Sequence, residues 1–213
     1  MGEEFWIKVK EYNIASIRAK GYEAIDWLPI RDDSTLRSLD EIKGRISVLN
    51  PIINIAFGAP IFIIKSWIEK NNLANYLTSL EKKLLDRKDE DLTEEEINLL
   101  MWSLESLWAL MWVTKQIDSL NEDENVGDNL ASLLPNLQLH EDNSKVDKIA
   151  TIRSQEDVCQ MMDYYYRLHW YCVHKRLRGG GAKLNEGVIY ERRKALEWVV
   201  DNKSDWDRIE MGT

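Results

Sequence analysis

Three stretches of this chain, 38–41, 78–81 and 93–96, begin with serine or threonine and end three residues later with glutamate. This is the spacing of a capping box, in which the hydroxyl and the carboxylate each accept a hydrogen bond from a backbone N–H group at a helix start. Ser154 and Ser204 are followed at the same distance by aspartate. The five signals predict five helix starts. No stretch alternates regularly between apolar and polar residues, so strands are not needed.

Residues that break helices are rare, with four prolines and ten glycines among 213 residues, and 44% of the residues are hydrophobic. This composition favours helices, and the length suits one domain with a substantial core. We therefore predict an all-α fold, a single-domain multi-helix bundle over residues 1–213. Its helices are predicted at residues 3–20, 39–58, 61–71, 79–87, 94–120, 155–178, 188–200 and 205–210.

The tryptophan-rich helix at 94–120 is the predicted centre of the bundle. Its segment MWSLESLWALMWV, residues 101–113, is apolar nearly all round, as in a helix buried on most of its faces. Glu105 lies in the middle of this segment. A buried carboxylate must be paired, hydrogen-bonded or protonated. Glu105 is thus either the structural partner of an arginine or a general base with a raised pKa.

The helix at 155–178 has two distinct arcs at helical spacing. Its core-facing stripe contains Val158, Met161, Met162, Tyr165, Leu168 and Cys172, and the opposite arc contains Glu156, Gln160, Asp163, Arg167, Trp170 and His174. Asp163 precedes Arg167 by four residues, which is the favourable order for a helical ion pair. His169 lies at the edge of the stripe, where we expect a hydrogen-bonded core histidine.

Arg192 projects from the middle of the apolar face of the helix at 188–200. A guanidinium in that position is costly unless a carboxylate meets it. Glu105, Asp163 and Glu191 are the acids within reach, so we predict a semi-buried polar cluster of Arg192 with at least one of them. Such a cluster either fixes how the helices dock or marks a functional site.

The formal net charge of −9 and a pI near 5.0 argue against nucleic-acid binding and against docking on anionic lipid. A charged partner is therefore expected to be a basic protein. The acidic run 86–96 and the acidic loop 122–128 are the expected surfaces. The residues predicted to bind the partner are Asp89, Glu90, Asp91, Glu94, Glu95, Glu122, Asp123 and Glu124.

Residues 121–151 are polar and acidic with little periodicity, so they are predicted to form a loop or linker inside the domain with at most one small helix. The two cysteines cannot make a disulfide framework, and the N-terminus lacks the pattern of a signal peptide. The most apolar window, 52–64, is too short and too broken to span a bilayer. A cytoplasmic protein is expected, and the tryptophan-rich helix would suit a homodimer if one face stays exposed.

Motifs for catalysis, cofactors and metals are missing from the sequence. It contains no nucleophile elbow, Walker loop or dinucleotide fingerprint. His169 and His174 are five residues apart on one helix and point in different directions, so they cannot share a zinc ion. No cofactor and no metal are expected.

Several motifs together resemble a known family. They read WSLE at 102–105, IRS at 152–154, DYYYRLHW at 163–170, ERRKALEW at 191–198 and WD at 206–207. In this combination the chain resembles the bacterial family called domain of unknown function 4272, over nearly its whole length from about Ile17. The resemblance implies an all-helical fold but no activity. It also implies one cluster formed by Asp163, Arg167, His169, Trp170, Glu191 and Arg192.

Two functions of different classes follow as hypotheses. The first is a non-enzymatic interaction protein, such as an immunity protein whose acidic surface neutralises a basic toxin or effector. The alternative is a hydrolase-like enzyme that uses the polar cluster around Glu105 and Arg192. Accessibility discriminates them, because a buried and fully paired cluster is scaffold, whereas a cluster that lines a cavity with an unpaired carboxylate favours the enzyme.

Overall fold

The computed structural model describes residues 2–30 and 34–212, and within them the protein is an all-helical single domain, as predicted. Short 3₁₀ turns at Ala74–Tyr76, Asp89–Asp91, Leu137–Leu139 and Trp206–Arg208 connect the α-helices. The α-helices of the described ranges are α1 (Glu3–Ala19), α2 (Leu39–Ala56), α3 (Ile61–Lys70), α4 (Ser79–Leu85), α5 (Glu94–Val113), α6 (Leu130–Leu133), α7 (Ser144–Asp147), α8 (Gln155–Leu177) and α9 (Glu186–Val200).

The three predicted capping boxes are confirmed. The Thr93 hydroxyl accepts a hydrogen bond from the Glu96 N–H group at 3.2 Å, and the Glu96 carboxylate accepts one from the Thr93 N–H group at 2.9 Å. Ser38 and Thr78 begin α2 and α4 in the same way. These helix starts therefore follow from local sequence alone.

The two signals that combine serine with aspartate differ in outcome. Ser154 begins α8, because its hydroxyl accepts a hydrogen bond from the Asp157 N–H group at 3.1 Å. Ser204 begins no α-helix, and the prediction of a helix at 205–210 is wrong. Its hydroxyl instead donates to Asp201 Oδ2 at 2.8 Å, and only the 3₁₀ turn at Trp206–Arg208 follows.

The long helices pack in a series, α1 on α8, α8 on α9, α9 on α5, α5 on α2 and α2 on α3. Most buried apolar side chains form one core along this series, and a smaller core surrounds Ile64 and Trp67 of α3. In the described ranges, β-type backbone pairing is limited to an isolated bridge between Thr35 and Asp201. Helices α5 and α9 thus occupy the middle of the bundle.

Helix α5 is shorter than predicted, since it ends at Val113 and not at residue 120. Lys115 has a left-handed backbone with φ of 59°, which turns the chain away from the helix axis. Arg153 occupies the helix end: its Nε donates to the Trp112 carbonyl at 2.9 Å, and its Nη2 donates to two carbonyls of the following turn. A guanidinium at this point satisfies carbonyls that a helix end leaves without partners.

Only the second half of α5 is buried on all sides, from Glu105 onward. In the first half Leu99 is 58% exposed and Met101 is 42% exposed. The expectation of a helix buried on most of its faces is therefore correct only from Glu105 to Val113. A homodimer through the exposed half stays a prediction.

Helix α8 is covered on both of its sides. Helix α9 packs against one side and α1 against the other, so Asp163, Arg167 and Trp170 of the arc opposite the predicted stripe are also buried. Periodicity within α8 could not show this, because the covering helix lies far away in the sequence. The consequence is that α8 places ionisable groups in the interior.

Residues 121–151 lie mostly outside helices, as expected of a loop inside the domain, but the prediction of at most one small helix is wrong. The segment contains both α6 and α7. The Trp67 indole donates to the Glu141 carbonyl at 2.9 Å and ties the segment to α3. Its buried apolar side chains are Leu130, Leu134, Val146 and Ile149.

Candidate functional site

Arg192 is fully buried in α9 and pairs with Glu105 of α5, one of the three acids expected. Its Nε donates to Glu105 Oε2 at 2.8 Å, and its Nη1 donates to the Tyr165 hydroxyl at 3.1 Å. The remaining donors reach backbone carbonyls, Nη1 that of Asn121 and Nη2 that of Glu124 at 2.7 Å. The predicted burial and pairing of Arg192 are confirmed.

The pair of Glu105 and Arg192 joins three parts of the chain. The second carboxylate oxygen, Glu105 Oε1, accepts a hydrogen bond from the Val126 N–H group at 3.2 Å. Together with the carbonyls that Arg192 binds, this contact fixes residues 121–126 against α5 and α9. Each oxygen of Glu105 accepts a hydrogen bond, and the carboxylate is buried beside Arg192, so its contacts are those of a structural ion pair.

Arg193, the next residue, turns toward α8. Its Nη1 lies 2.7 Å from His169 Nδ1, and its Nε donates to Glu197 Oε1 at 3.1 Å. Its guanidinium also lies over the Tyr166 ring at 4.7 Å. Arg193 thus contacts α8 and its own helix, whereas Arg192 pairs with the acid of α5 and also reaches the Tyr165 hydroxyl of α8.

His169 is the hydrogen-bonded core histidine that its position indicated. Burial, and then the charge of Arg193, lower the pKa of His169 from the ordinary 6.5 to about 4. A guanidinium only donates, so Nδ1 accepts and the neutral ring carries its proton on Nε2. His169 is therefore uncharged near neutral pH.

We expect His169 to make the fold sensitive to acid. Between pH 6.5 and about 4 the unfolded chain binds a proton at this ring that the folded chain does not, so the free energy of unfolding falls as the pH falls through that window. The loss from this one group is about 2 to 3 kcal/mol. Urea unfolding at about pH 7 and about pH 4 measures it.

The control for this prediction is His169→Asn, whose amide oxygen can replace Nδ1 as the acceptor for Arg193 and does not titrate. Carboxylates titrate alike in both proteins, so the difference in acid sensitivity isolates the ring. An equal loss of stability in wild type and variant would contradict the prediction.

Asp163 and Arg167 form the ion pair that their spacing predicted. Arg167 donates from Nε and Nη2 to the two carboxylate oxygens at 2.8 Å each, and both residues are buried. Asn13 of α1 donates to Asp163 Oδ2, also at 2.8 Å. Among the described residues, the Nη1 group of Arg167 is buried without a hydrogen-bond partner. In that part of the chain, Asp163 is thus the one acid that pairs with Arg167.

Glu191 and Trp170 lie apart from these pairs. The Ser106 hydroxyl donates to Glu191 Oε2 at 2.7 Å, which links α5 to α9. The Trp170 ring stacks on His174, with centroids 4.5 Å apart. Both residues therefore hold the scaffold together.

The residues that the resemblance grouped together form separate contacts. Arg192 faces α5 with Glu105, Arg193 faces α8 with His169, and Asp163 with Arg167 faces α1. These hydrogen bonds divide the residues among three buried contacts, because α8 and α9 each have two covered sides.

We call Asp89, Glu90, Asp91, Glu94 and Glu95 the acidic edge; all five residues are exposed. Asp89 has a structural contact, since its Oδ1 accepts a hydrogen bond from the Ile61 N–H group at 2.8 Å and so fixes the edge to the start of α3. In residues 2–30 and 34–212, Glu90, Glu94 and Glu95 form no hydrogen bond or ion pair through their carboxylates.

Glu122 does not belong to an acidic surface. Its side chain is 3% exposed and accepts hydrogen bonds from Lys20 Nζ at 2.8 and 2.9 Å. Asp123 and Glu124 are exposed as expected, although the Glu124 carbonyl is bound to Arg192. The prediction of a surface acid at Glu122 is wrong because its partner, Lys20, follows the end of α1, far away in the sequence.

Sequence reasoning missed the buried arginines Arg193, Arg37 and Arg45. Arg193 and Glu197 are four residues apart, so helical spacing could have indicated that pair. Arg45 pairs with Glu81 of α4, and Arg37 binds carbonyls at the end of α9. No local pattern indicates these last two contacts.

The described ranges contain no group of three His, Cys, Asp or Glu side chains placed to hold a metal ion. Burial, and then Glu186, raise the pKa of Cys172 to about 12, so this thiol stays protonated and is a poor nucleophile. None of the described helices combines the length and the apolar character needed to cross a membrane.

Comparison with known proteins yields one finding. Neither the curated proteins nor the solved structures contain a match to this chain. The model of a family described as a domain of unknown function (DUF4272) matches residues 10–209. That range includes every helix from α2 to α9 and all the buried pairs described above. The chain therefore belongs to the DUF4272 family.

Proposed function

We propose that this chain is a non-enzymatic interaction protein that binds a basic protein partner on its acidic edge. The observation that carries the proposal is the exposure of Glu90, Glu94 and Glu95 without internal partners in the described ranges. Carboxylates that are already solvated and unpaired attract a basic surface and increase the rate of association.

Exposed aromatic side chains occur close in sequence to the start of α3, which the acidic edge contacts through Asp89. Asp89 binds the N–H group of Ile61, and the neighbouring Phe62 is 68% exposed. Phe57, at the end of α2, is 62% exposed. Protein interfaces combine aromatic contacts at their centre with a polar rim, and this surface offers both.

The buried pairs support the interaction protein over the hydrolase-like alternative. An enzyme would need an accessible carboxylate, and Glu105 and Asp163 are each buried against an arginine. These pairs fit the role of scaffold. An immunity protein that neutralises a basic toxin or effector in the cytoplasm is the specific form of the function that we propose.

In the first step of the test, the tagged protein is used to capture a binding partner from a lysate of the organism that encodes it, and the captured protein is identified. The dissociation constant of the purified pair is then measured by calorimetry. We expect Glu90→Lys/Glu94→Lys/Glu95→Lys to weaken binding at least about tenfold, because it reverses the charges that face the partner. Raising the salt concentration should weaken wild-type binding.

A matched control is Glu3→Lys/Asp40→Lys/Glu156→Lys. These three acids are exposed and lie in the first turns of α1, α2 and α8. Their replacement by lysine changes the net charge from −9 to −3, as the substitutions in the test variant do. The control should bind like the wild type. Equal weakening in both variants would show that overall charge, and not the acidic edge, attracts the partner; retention of no basic partner would also refute the proposal.

A further inference from the structure

A cavity of about 470 Å³ opens between α2, α4 and the turn at Trp206–Arg208. This volume is in the range of sites for small molecules. Arg45 of α2 lines the cavity although its side chain is only 2% exposed. The cavity is separate from the three buried contacts and from the acidic edge.

Arg45 has an incomplete set of partners. Its Nη2 donates to the Glu81 carboxylate, and its Nε is buried without a hydrogen-bond partner in residues 2–30 and 34–212. A guanidinium carries five N–H donors, and leaving buried donors unsatisfied is costly. Arg37, which lines the same cavity, instead donates four hydrogen bonds.

Aromatic rings form the walls beside Arg45. Its guanidinium lies over the Trp206 ring at 5.0 Å, and Trp206 packs edge-on against Trp198 at 5.3 Å. The Tyr76 ring lies directly on Gly44, where an added Cβ would be 2.1 Å from the ring. A glycine inside α2 costs helix stability, and here it leaves room for Tyr76 as the outer wall.

The charges around the cavity favour an anion. Two of its three carboxylates are engaged, since Glu41 pairs with Arg37 and Asp207 accepts a hydrogen bond from the Leu80 N–H group. Asp205 is the third. Lys83 and Arg208 are exposed and form no hydrogen bond or ion pair among the described residues. They bring positive charge to the entrance in a chain of net charge −9.

We infer that this cavity binds a small aromatic or otherwise planar molecule with a carboxylate or phosphate group. The oxyanion accepts hydrogen bonds from the guanidinium donors of Arg45 that Glu81 leaves free. The planar part packs against Trp206 and Tyr76. Carboxylate and phosphate share the chemistry that Arg45 recognises, and the probes below distinguish them.

The test measures binding of benzoate, phenyl phosphate and inorganic phosphate by calorimetry, with benzyl alcohol as the neutral comparison. We expect saturable binding of benzoate, phenyl phosphate or both, and none of benzyl alcohol. The better of the two organic anions identifies the group. Saturation by no organic anion, or equal binding of benzyl alcohol, would overturn the inference.

The variant is Arg45→Gln/Glu81→Gln, which removes both charges and leaves the net charge unchanged. Its matched control is Arg87→Gln/Glu96→Gln, because Glu81 and Glu96 are both capping-box residues that pair with an arginine, and glutamine can replace glutamate in that role. Affinity should fall at least about tenfold in the variant and not in the control. Equal affinity in both would overturn the inference.

If circular dichroism shows that the variant does not fold, the inference is tested on the wild-type protein. The NMR resonance of the Arg45 Nε–H group, assigned by its absence from the spectrum of Arg45→Lys, is followed during titration with the better anion. A saturable shift supports the site. A resonance that stays fixed while the anion saturates the protein overturns it.

Discussion

Arg192→Ala is expected to lower the free energy of unfolding by about 3 to 5 kcal/mol. The substitution leaves the Glu105 carboxylate buried without its counter-charge, and it removes the donor from the carbonyls of Asn121 and Glu124. Few changes at one residue would remove contacts to so many parts of this chain, since α5, α9 and residues 121–126 all meet there.

Urea unfolding followed by tryptophan fluorescence measures the effect. Arg87→Ala is the control, because its partner Glu96 is partly exposed and water can replace the lost contact. The control should lose much less stability than Arg192→Ala. A variant of Arg192 as stable as the control would contradict the burial of this pair.

A second variant separates the lost pair from the orphaned charge. Glu105→Gln/Arg192→Met removes both charges and keeps most of the volume, so no ion stays unpaired in the core. We expect this double variant to be more stable than Arg192→Ala, because exchanging a whole buried pair costs less than breaking it.

The predictable parts of this structure depend on contacts that are close in sequence or forced by burial. Capping boxes at Thr93 and Thr78 begin helices through residues three apart. The pairing of Arg192 with Glu105 was also predictable, although 87 positions separate them, because each lies in an apolar helix face and needs an opposite charge.

Other contacts could not be predicted because the sequence does not show which helices become neighbours. Nothing near Asp163 indicates that Asn13 of α1 will donate to it. The end of α5 depends on Arg153, which lies 40 residues after Val113. The Arg153 N–H group donates to the Val113 carbonyl at 2.8 Å, and no sequence pattern near Val113 indicates this contact. The burial of Glu122 could not be predicted for the same reason, since its partner Lys20 follows α1, about 100 residues earlier in the chain.

The buried pairs also limit where function can lie. Each ionisable group that the sequence offered for catalysis is engaged inside the bundle, and the exposed chemistry lies at the acidic edge and at the cavity around Arg45. Binding therefore needs no opening of the core. Stability and recognition can be tested with different variants.

Asp163→Ala is expected to cost about 3 to 5 kcal/mol and to be more destabilising than Glu105→Ala. Without Asp163, the fully buried Arg167 keeps no hydrogen bond among those the structure shows, since both of its contacts end on that carboxylate and its Nη1 has none. Without Glu105, Arg192 still donates to two carbonyls and to the Tyr165 hydroxyl. The two variants thus differ in the number of hydrogen bonds that the remaining arginine keeps with the protein.

Urea unfolding of the two alanine variants shows which of them loses more stability. The double variant Asp163→Leu/Arg167→Met tests why Asp163→Ala is expected to lose more. If the isolated charge of Arg167 is responsible, removing that charge as well restores most of the lost stability, although Asn13 then lacks one acceptor. The reverse order, or a double variant as unstable as Asp163→Ala, would mean that the contact with Asn13, and not the charge of Arg167, gives Asp163 its importance. Because backbone carbonyls can replace part of a counter-charge, we expect Arg192 to tolerate the loss of its acid better than Arg167 does.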